Sequence, residues 1–362
     1  MHPQRKIQFQ KLLIIVIIWT ILGSFLAVYD HLLLASHLSL GPTQDYTFVG
    51  SFIFNTAAGF MGGLMGGIFL VFILNRKLRS QPYINGILWV CVSFVVIVSI
   101  ITVVMAAVQV VVETGSFALT PEAKESFSKL VFTTQHPKNM VFWALIVGLT
   151  QMGLHINDKF GHGLLWSMIR GKYHFPINEQ RIFMFLDLRS STAIAERLGD
   201  HKYHQLLKDL FSDITDPILN NKGEIYQYVG DEVVISWKMQ EGVEEYHCVK
   251  CFFDVKAKLV LLKEKYEQEY QLIPEFKAGI HFGKVIAGEI GIIKRDITYS
   301  GDVLNTTARI QSLCNSYGAN LLSSKELLDL LDLPEEMKLS PLGSITLRGK
   351  AAEVELIGLE EK

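Results

Sequence analysis

Two aspartates in the second half of the chain have the residue type and the setting of metal ligands. Asp187 ends the short apolar run RIFMFLDL, and Asp231 follows a glycine between two further apolar runs in YVGDEVV. The first run favours a buried strand, and the Gly-Asp pair predicts a hairpin turn. Carboxylates without His or Cys partners favour Mg²⁺ or Mn²⁺. The pair therefore predicts a site for two ions that bridge phosphate oxygens and activate a hydroxyl for in-line displacement.

Three hydroxyl residues, Ser190, Ser191 and Thr192, follow the first aspartate almost directly. They are predicted to cap a helix, whose unpaired backbone N–H groups would point at an anion held by the metals. A triphosphate fits this description. Taken singly, each aspartate is explained more simply as a turn or capping residue, but the pair together with this helix start favours phosphate chemistry.

The elements that must position these residues follow from the apolar pattern. A helix is expected to run to about Ile218, and GEIYQYVGDEVVISW predicts two strands joined at the Gly-Asp turn. A long helix is expected from about Glu241 to Tyr270, followed by two strands that turn at Gly283. The order β-α-β-β-α-β predicts an α+β domain with a ferredoxin-like sheet, in which Asp187 and Asp231 are neighbours.

Three motifs resemble those of one known family in their order and separation. FLDLRSST, YVGDEVV and YSGDVLNTTAR resemble the motifs of class III nucleotide cyclases, over about half the chain from Gln180 to Gly358. A membrane anchor followed by one such domain also resembles bacterial members of that family. The resemblance implies a domain that cyclises a nucleoside triphosphate and releases pyrophosphate, with two Mg²⁺ or Mn²⁺ ions per site.

The resemblance also implies roles for individual residues. Asp187 and Asp231 match the two metal aspartates, and Leu188 matches the residue whose carbonyl completes one metal shell. Asn305 and Arg309, one helical turn apart, match the residues that orient the ribose and stabilise charge on the α-phosphate. In this family the aspartates and the Asn/Arg pair come from different subunits, so a homodimer with two sites is implied.

Further residues are expected to bind the substrate. Lys350 in LRGKAAEVE matches a lysine near the terminal phosphates, and residues 190–192 adjoin the first metal aspartate. Gln227 and Thr298 match the two base-reading positions, which most often hold Lys and Asp. The amide of Gln227 both donates and accepts, so it suits adenine and is also able to accept from guanine. Ser191 stands where an aromatic residue is common in the family.

The leading hypothesis is an adenylate cyclase that converts ATP to 3′,5′-cyclic AMP and pyrophosphate. A guanylate cyclase is one alternative, although the Glu and Cys typical of that class are absent. A diguanylate cyclase is another, but the hairpin reads VGDEVV and lacks the doubled glycine and the phenylalanine of GGDEF. A catalytically silent membrane receptor is the third, and the retention of both aspartates, Asn305 and Arg309 argues against it.

The first half of the chain differs in composition. The apolar fraction of the whole chain is 49%, and most of the excess lies before residue 158. Four segments are long enough to predict a four-helix transmembrane anchor over residues 1–157. They run from Leu12 to Ala35, Phe48 to Leu74, Ile87 to Val112 and Val141 to Leu154. Basic residues precede the first segment and follow the second and the fourth, so they lie on the same side as the two termini. We therefore expect a multi-pass plasma-membrane protein with both termini cytoplasmic.

The remaining features bound the organisation and the partners. Residues 158–178 are predicted to link the anchor to a catalytic domain at 179–362. The formal net charge of -2 leaves no basic surface for nucleic acid.

Cys248 and Cys251 form a CxxC in the expected long helix, where buried free thiols are the simpler explanation. In the second span, GFMGGLMGG has glycine every four residues, which predicts close helix packing within one subunit or between two.

Overall fold

A computed structural model describes residues 3–36, 47–74, 83–114, 135–160, 170–293, 295–346 and 353–361. The chain divides into two compact units, Pro3–Phe160 and Gly161–Lys362. The first unit contains the helices α1 (Pro3–Ser36), α2 (Phe48–Ile68, continued by a π-helical turn at Phe69–Leu74), α3 (Tyr83–Thr114) and α4 (Gln135–Phe160).

The helices of the first unit are strongly apolar. Among the described residues, three helical segments have the length and composition to cross a membrane: Arg5–Ser36, Phe48–Ile73 and Met140–Asn157. Helix α3 contains a shorter described apolar stretch, Trp89–Ile101. The first half of the chain is thus a set of apolar helices suited to membrane anchoring. The four spans and their orientation stay predictions.

The glycines of α2 pack against α1. A Cβ atom on Gly59 would lie 2.5 Å from the carbonyl oxygen of Trp19, and one on Gly63 would lie 2.9 Å from the Cα atom of Val16. Backbone atoms at these distances cannot move aside, so only glycine permits this approach. The close packing predicted from the four-residue spacing is confirmed, and it occurs within one chain.

The second unit is an α+β domain. Its strands are β1 (Ile177–Leu188), β2 (Glu224–Val229), β3 (Glu232–Lys238), β4 (Phe276–Ile290), β5 (Asp296–Ser300), β6 (Leu321–Ser324), β7 (Met337–Thr346) and β8 (Glu353–Glu361). Its helices are α5 (Ser191–Leu198), α6 (Asp200–Asn220), α7 (Met239–Val243), α8 (His247–Leu261), α9 (Lys263–Tyr270), α10 (Asp302–Ser312), α11 (Cys314–Tyr317) and α12 (Lys325–Leu328).

The strands form one sheet in the order β2-β3-β1-β4-β6-β8-β7, and β5 pairs with β4. The first four strands follow the ferredoxin-like order, and each is antiparallel to its neighbour. The predicted architecture is therefore confirmed: apolar N-terminal helices precede a C-terminal α+β domain.

Alternation along β1 separates a core face from a functional face. Ile182, Met184 and Leu186 are fully buried beneath α6 and α8. Cys248 and Cys251 of α8 lie in the same core, as predicted. Burial raises the pKa of the Cys248 thiol to about 12, so this thiol is protonated and unreactive at neutral pH.

The turn expected at Gly283 is wrong, because β4 is a single strand of 15 residues that runs through it. Gly279 and Gly283 instead make room for α10, which lies against β4. A Cβ atom on Gly279 would lie 2.7 Å from the Cα atom of Gln311 and 2.8 Å from the carbonyl oxygen of Thr307, and one on Gly283 would lie 3.0 Å from the Cβ atom of Val303. The missing side chains serve helix packing and not chain reversal.

Two of the expected helices are interrupted. The helix after the first strand breaks at Gly199, whose φ is +73°. The long helix expected up to Tyr270 is divided among α7, α8 and α9. Glu245 and Tyr246 adopt left-handed backbone angles between α7 and α8, and Leu262 (φ -98°, ψ 12°) departs from helical geometry between α8 and α9. Apolar periodicity predicts that these segments are helical but does not reveal such breaks.

The contact between Gly279 and α10 gives a prediction for stability. The substitution Gly279→Ala should lower the free energy of unfolding by about 1–3 kcal/mol, because the added methyl meets backbone atoms. Gly358→Ala is the matched control, since the nearest atom would lie 3.8 Å from the new methyl group. Thermal unfolding of the detergent-solubilised chain measures both changes. It is monitored through the labelling of the buried thiols as they become exposed. Equal midpoints for the two variants would contradict the packing argument.

Candidate functional site

Asp187 lies at the end of β1 in the middle of the sheet. Its register partners are Glu232, which begins β3, and Lys277 near the start of β4. Asp231 precedes Glu232 in the chain and occupies the tip of the β2–β3 hairpin, where Gly230 has a φ of +62°. The predicted hairpin therefore forms, and the two aspartates are neighbours at this end of the strands.

Two side chains that the sequence did not single out hold the Asp187 carboxylate. Gln311 of α10, which is 7% exposed, donates from Nε2 to Asp187 Oδ2 at 2.8 Å. The ammonium of Lys277 lies 3.2 Å from the same oxygen. Only the pairing of β1 with β4 and the packing of α10 bring these groups together, so no local motif announces them.

The electrostatics of this cluster favour a bound cation. Burial raises the pKa of Asp187 above its ordinary value; the Lys277 ammonium opposes this shift and the charge of Asp231 adds to it. Burial, followed by repulsion from Asp187 and Asp231, raises the pKa of Glu232 to about 7. Three acidic groups thus crowd one end of the strands, with Lys277 as their close counter-charge.

The donor set suits Mg²⁺ or Mn²⁺. Within the described residues, no group of three His, Cys, Asp or Glu side chains converges on one point as a complete metal cage. Mg²⁺ is commonly held by one or two carboxylates, with substrate phosphates and water completing the shell. Asp187 and Asp231 provide such a partial shell, so the residues present fit a metal that binds together with a phosphorylated substrate.

The segment after Asp187 departs from the expected capping. Ser190 precedes α5 with a left-handed φ of 55°, and its side chain makes no capping hydrogen bond. Leu188 is buried, Ser191 is half-buried and Thr192 is exposed. Tyr203 of α6 lies beside this segment: burial and then the charge of Asp231 raise the pKa of its phenol, while a hydrogen bond with Ser191 lowers it. The ring of Tyr203 therefore lies close to Ser191, the position where an aromatic residue is expected from the family resemblance.

Asn305 and Arg309 project from α10 on a side that the domain does not bury. Asn305 is exposed and Arg309 is half-buried, whereas the buried face of α10 consists of Val303, Thr306, Thr307, Ile310 and Gln311. Across the described residues of the single chain, no hydrogen bond or ion pair joins the side chain of Asn305 or Arg309 to another group. The described part of the chain therefore leaves the polar groups of this pair available.

The two base-reading candidates lie on strands that do not pair with each other. Gln227 is exposed on β2, opposite Val234. Thr298 lies on β5 opposite Gly288, and its hydroxyl oxygen is buried without a hydrogen-bond partner among the described residues. Lys350 lies outside the described residues.

Comparison with known proteins agrees with this architecture. The sequence model of the adenylate and guanylate cyclase catalytic domain matches residues 177–358, which is half of the chain. Adenylate cyclase 2 of Rhizobium meliloti (strain 1021) is 34% identical over 206 residues, which cover 57% of this chain and 57% of that protein. Adenylate cyclase 1 of the same organism is 25% identical over 178 residues, which cover 48% of this chain and 26% of that protein.

The fold is also found among solved structures. A bacterial light-regulated adenylyl cyclase superposes with a TM-score of 0.53 at 20% identity, over 63% of this chain and 65% of that chain. The chain spans little more than half of the length of adenylate cyclase 2 of Rhizobium meliloti and about a quarter of that of adenylate cyclase 1. The family match, the sheet order and the aspartate pair converge, and the chain belongs to the class III adenylate and guanylate cyclase family.

Proposed function

We propose that this protein is an adenylate cyclase that converts ATP to 3′,5′-cyclic AMP and pyrophosphate. The observation that carries the proposal is the pair Asp187 and Asp231 at one end of the central strands, in a domain of the cyclase family. The names of the two Rhizobium meliloti relatives, both adenylate cyclases, favour ATP over GTP.

The first half of the site holds the triphosphate. Asp187 and Asp231, with the backbone carbonyl of Leu188, would hold two Mg²⁺ or Mn²⁺ ions, which when bound supply positive charge to the phosphates and acidify the attacking 3′-hydroxyl. Gln311 and Lys277 fix the orientation of the Asp187 carboxylate before substrate arrives. The segment at 190–192 would lie along the phosphates, and Lys350 would contact the terminal phosphates.

The second half of the site stabilises the developing charge. Arg309 would donate to the α-phosphate, where a planar guanidinium suits a charge spread over two oxygens. Asn305 would orient the ribose so that its 3′-oxygen lies in line with the leaving pyrophosphate. Both side chains lack polar partners in the described single chain, which supports a role across the interface of a homodimer.

Base selection would fall to Gln227 and Thr298. An amide can accept from the adenine amino group and donate to its ring nitrogen, and Thr298 matches the second base-reading position of the family. A guanylate cyclase stays the second candidate, because a rotated Gln227 amide also suits guanine. We further propose that four spans anchor the protein in the plasma membrane with both termini in the cytoplasm.

The product of the reaction tests the proposal directly. Full-length protein in detergent or liposomes should form cyclic AMP from ATP with Mg²⁺ or Mn²⁺, identified by mass, and EDTA should abolish product formation. GTP should react more slowly. Cyclic GMP as the main product would favour the guanylate cyclase, cyclic di-GMP the diguanylate cyclase, and no turnover a silent receptor.

The metal assignment gives a second prediction. Asp187→Asn should lower kcat at least about 100-fold, because the amide retains the shape of the side chain but loses the charge that holds the metals. The exposed Asp332→Asn serves as the matched control and should keep wild-type activity. A fully active Asp187→Asn variant would refute the assignment.

Complementation between damaged subunits tests the homodimer. Asp187→Asn and Arg309→Ala should each be inactive alone, because each damages both sites of a homodimer. Coexpressed, they should recover about a quarter of wild-type turnover, since about half of all dimers are mixed and each mixed dimer contains one intact site of two. Asp187→Asn coexpressed with Asp231→Asn is the control and should recover none. Failure of the first pair to exceed this control would argue against a shared site.

A further inference from the structure

Two tyrosines connect the strands that carry the base-reading candidates. Tyr226 precedes Gln227 on β2, and Tyr299 follows Thr298 on β5. These strands are not paired in the sheet, because β2 pairs with β3 and β5 pairs with β4. The backbone N–H of Tyr299 nevertheless donates to the hydroxyl of Tyr226 at 3.3 Å, and the ring centroids are 4.9 Å apart.

A buried arginine holds the same two strands. Arg181 of β1 is 1% exposed, and its guanidinium carbon lies 4.6 Å from the centre of the Tyr299 ring. Its Nη1 atom donates to Glu224 of β2 at 2.6 Å and to Ser236 at 3.1 Å, while Nε donates to Glu179 at 2.7 Å. A charge at this depth requires such partners, so the position of Arg181 is tightly determined. It contacts β2 through Glu224 and β5 through Tyr299.

The backbone of β2 is irregular at the tyrosine. The pairing of β2 with β3 shifts by one residue between Ile225 and Gln227, so Tyr226 is the extra residue of a β-bulge. A bulge changes the direction of the side chains that follow it. The Tyr226 ring packs in a cluster around Phe183 and Val234, which fixes the bulge and with it the approach of Gln227.

We propose that Tyr226, Tyr299 and Arg181 are positioning residues for base recognition. They set the separation of the strands that carry Gln227 and Thr298, and thereby the preference for adenine over guanine. This inference rests on the proposed cyclase function, since it assigns to these residues an effect on substrate selection. The chemistry itself stays with the aspartates and Arg309, so damage to the positioning residues should change binding of the base more than turnover.

Tyr226→Phe tests the inference, because it removes the hydroxyl that accepts from Tyr299 and keeps the ring. In the full-length enzyme, KM for ATP should rise about three- to tenfold with little change in kcat, as expected for one lost hydrogen bond. The ratio of kcat/KM for ATP to that for GTP should fall. Tyr228→Phe is the matched control, since this tyrosine lies in the same strand but stacks on Phe211. It should leave the KM and the ratio unchanged.

Arg181 supplies a second, graded test. Arg181→Lys keeps the charge near Glu179 and Glu224 and should retain more ATP preference than Arg181→Met. The melting temperature of each variant, measured alongside, separates a loss of folding from a loss of selectivity.

The outcomes separate the inference from the proposed function. A wild-type protein that cyclises neither nucleotide would refute the function and the inference together. An active wild-type enzyme with an unchanged KM and nucleotide ratio in Tyr226→Phe would refute the inference alone. An equal loss of kcat for ATP and GTP at constant KM would also overturn it, because a base-positioning role predicts a higher KM for ATP with little change in kcat.

Discussion

Asp187 lies between two neighbouring strands, opposite Glu232 on one side and Lys277 on the other. The antiparallel register of β1 with β3 and β4 produces this arrangement, and the rest of the site depends on it. A slip of one residue would turn Asp187 into the hydrophobic core and expose Leu186. The fully buried row of β1 therefore stabilises the register that positions Asp187, because a slip would expose the apolar surface of each residue in that row.

Helix α10 extends this constraint to Asn305 and Arg309, the residues proposed to form the second half of the site. Its close contact with Gly279 sets the distance between helix and strand, and Gln311 then reaches Asp187. The same helix carries Asn305 and Arg309 on its other side. One element thus holds the Asp187 carboxylate, a proposed metal ligand, and presents Asn305 and Arg309, which we propose act in the site of a partner. The positions of the Asp187 carboxylate and of the Asn305 and Arg309 side chains are therefore linked through one helix and not through a loop.

The segment that precedes β1 is joined to the same sheet. Lys172 and Tyr173, which lie within the predicted linker, contact Glu179 at 2.9 Å and 3.4 Å. Glu179 in turn accepts from Arg181, whose guanidinium lies over Tyr299. A continuous polar and aromatic network therefore runs from the start of the domain to the strands proposed to select the base.

The residue types, the order of the motifs and the apolar character of the first half can be read from the amino-acid sequence alone. These depend on composition and on local periodicity, so strands, hairpin, carboxylate pair and ferredoxin-like order were all predictable. Which of these groups come into contact depends on the tertiary fold. Gln311 and Asp187 are 124 residues apart, and Tyr226 and Tyr299 are 73 apart. Such contacts arise from register and helix packing, and for the same reason Gly283 was mistaken for a turn although it makes room for α10.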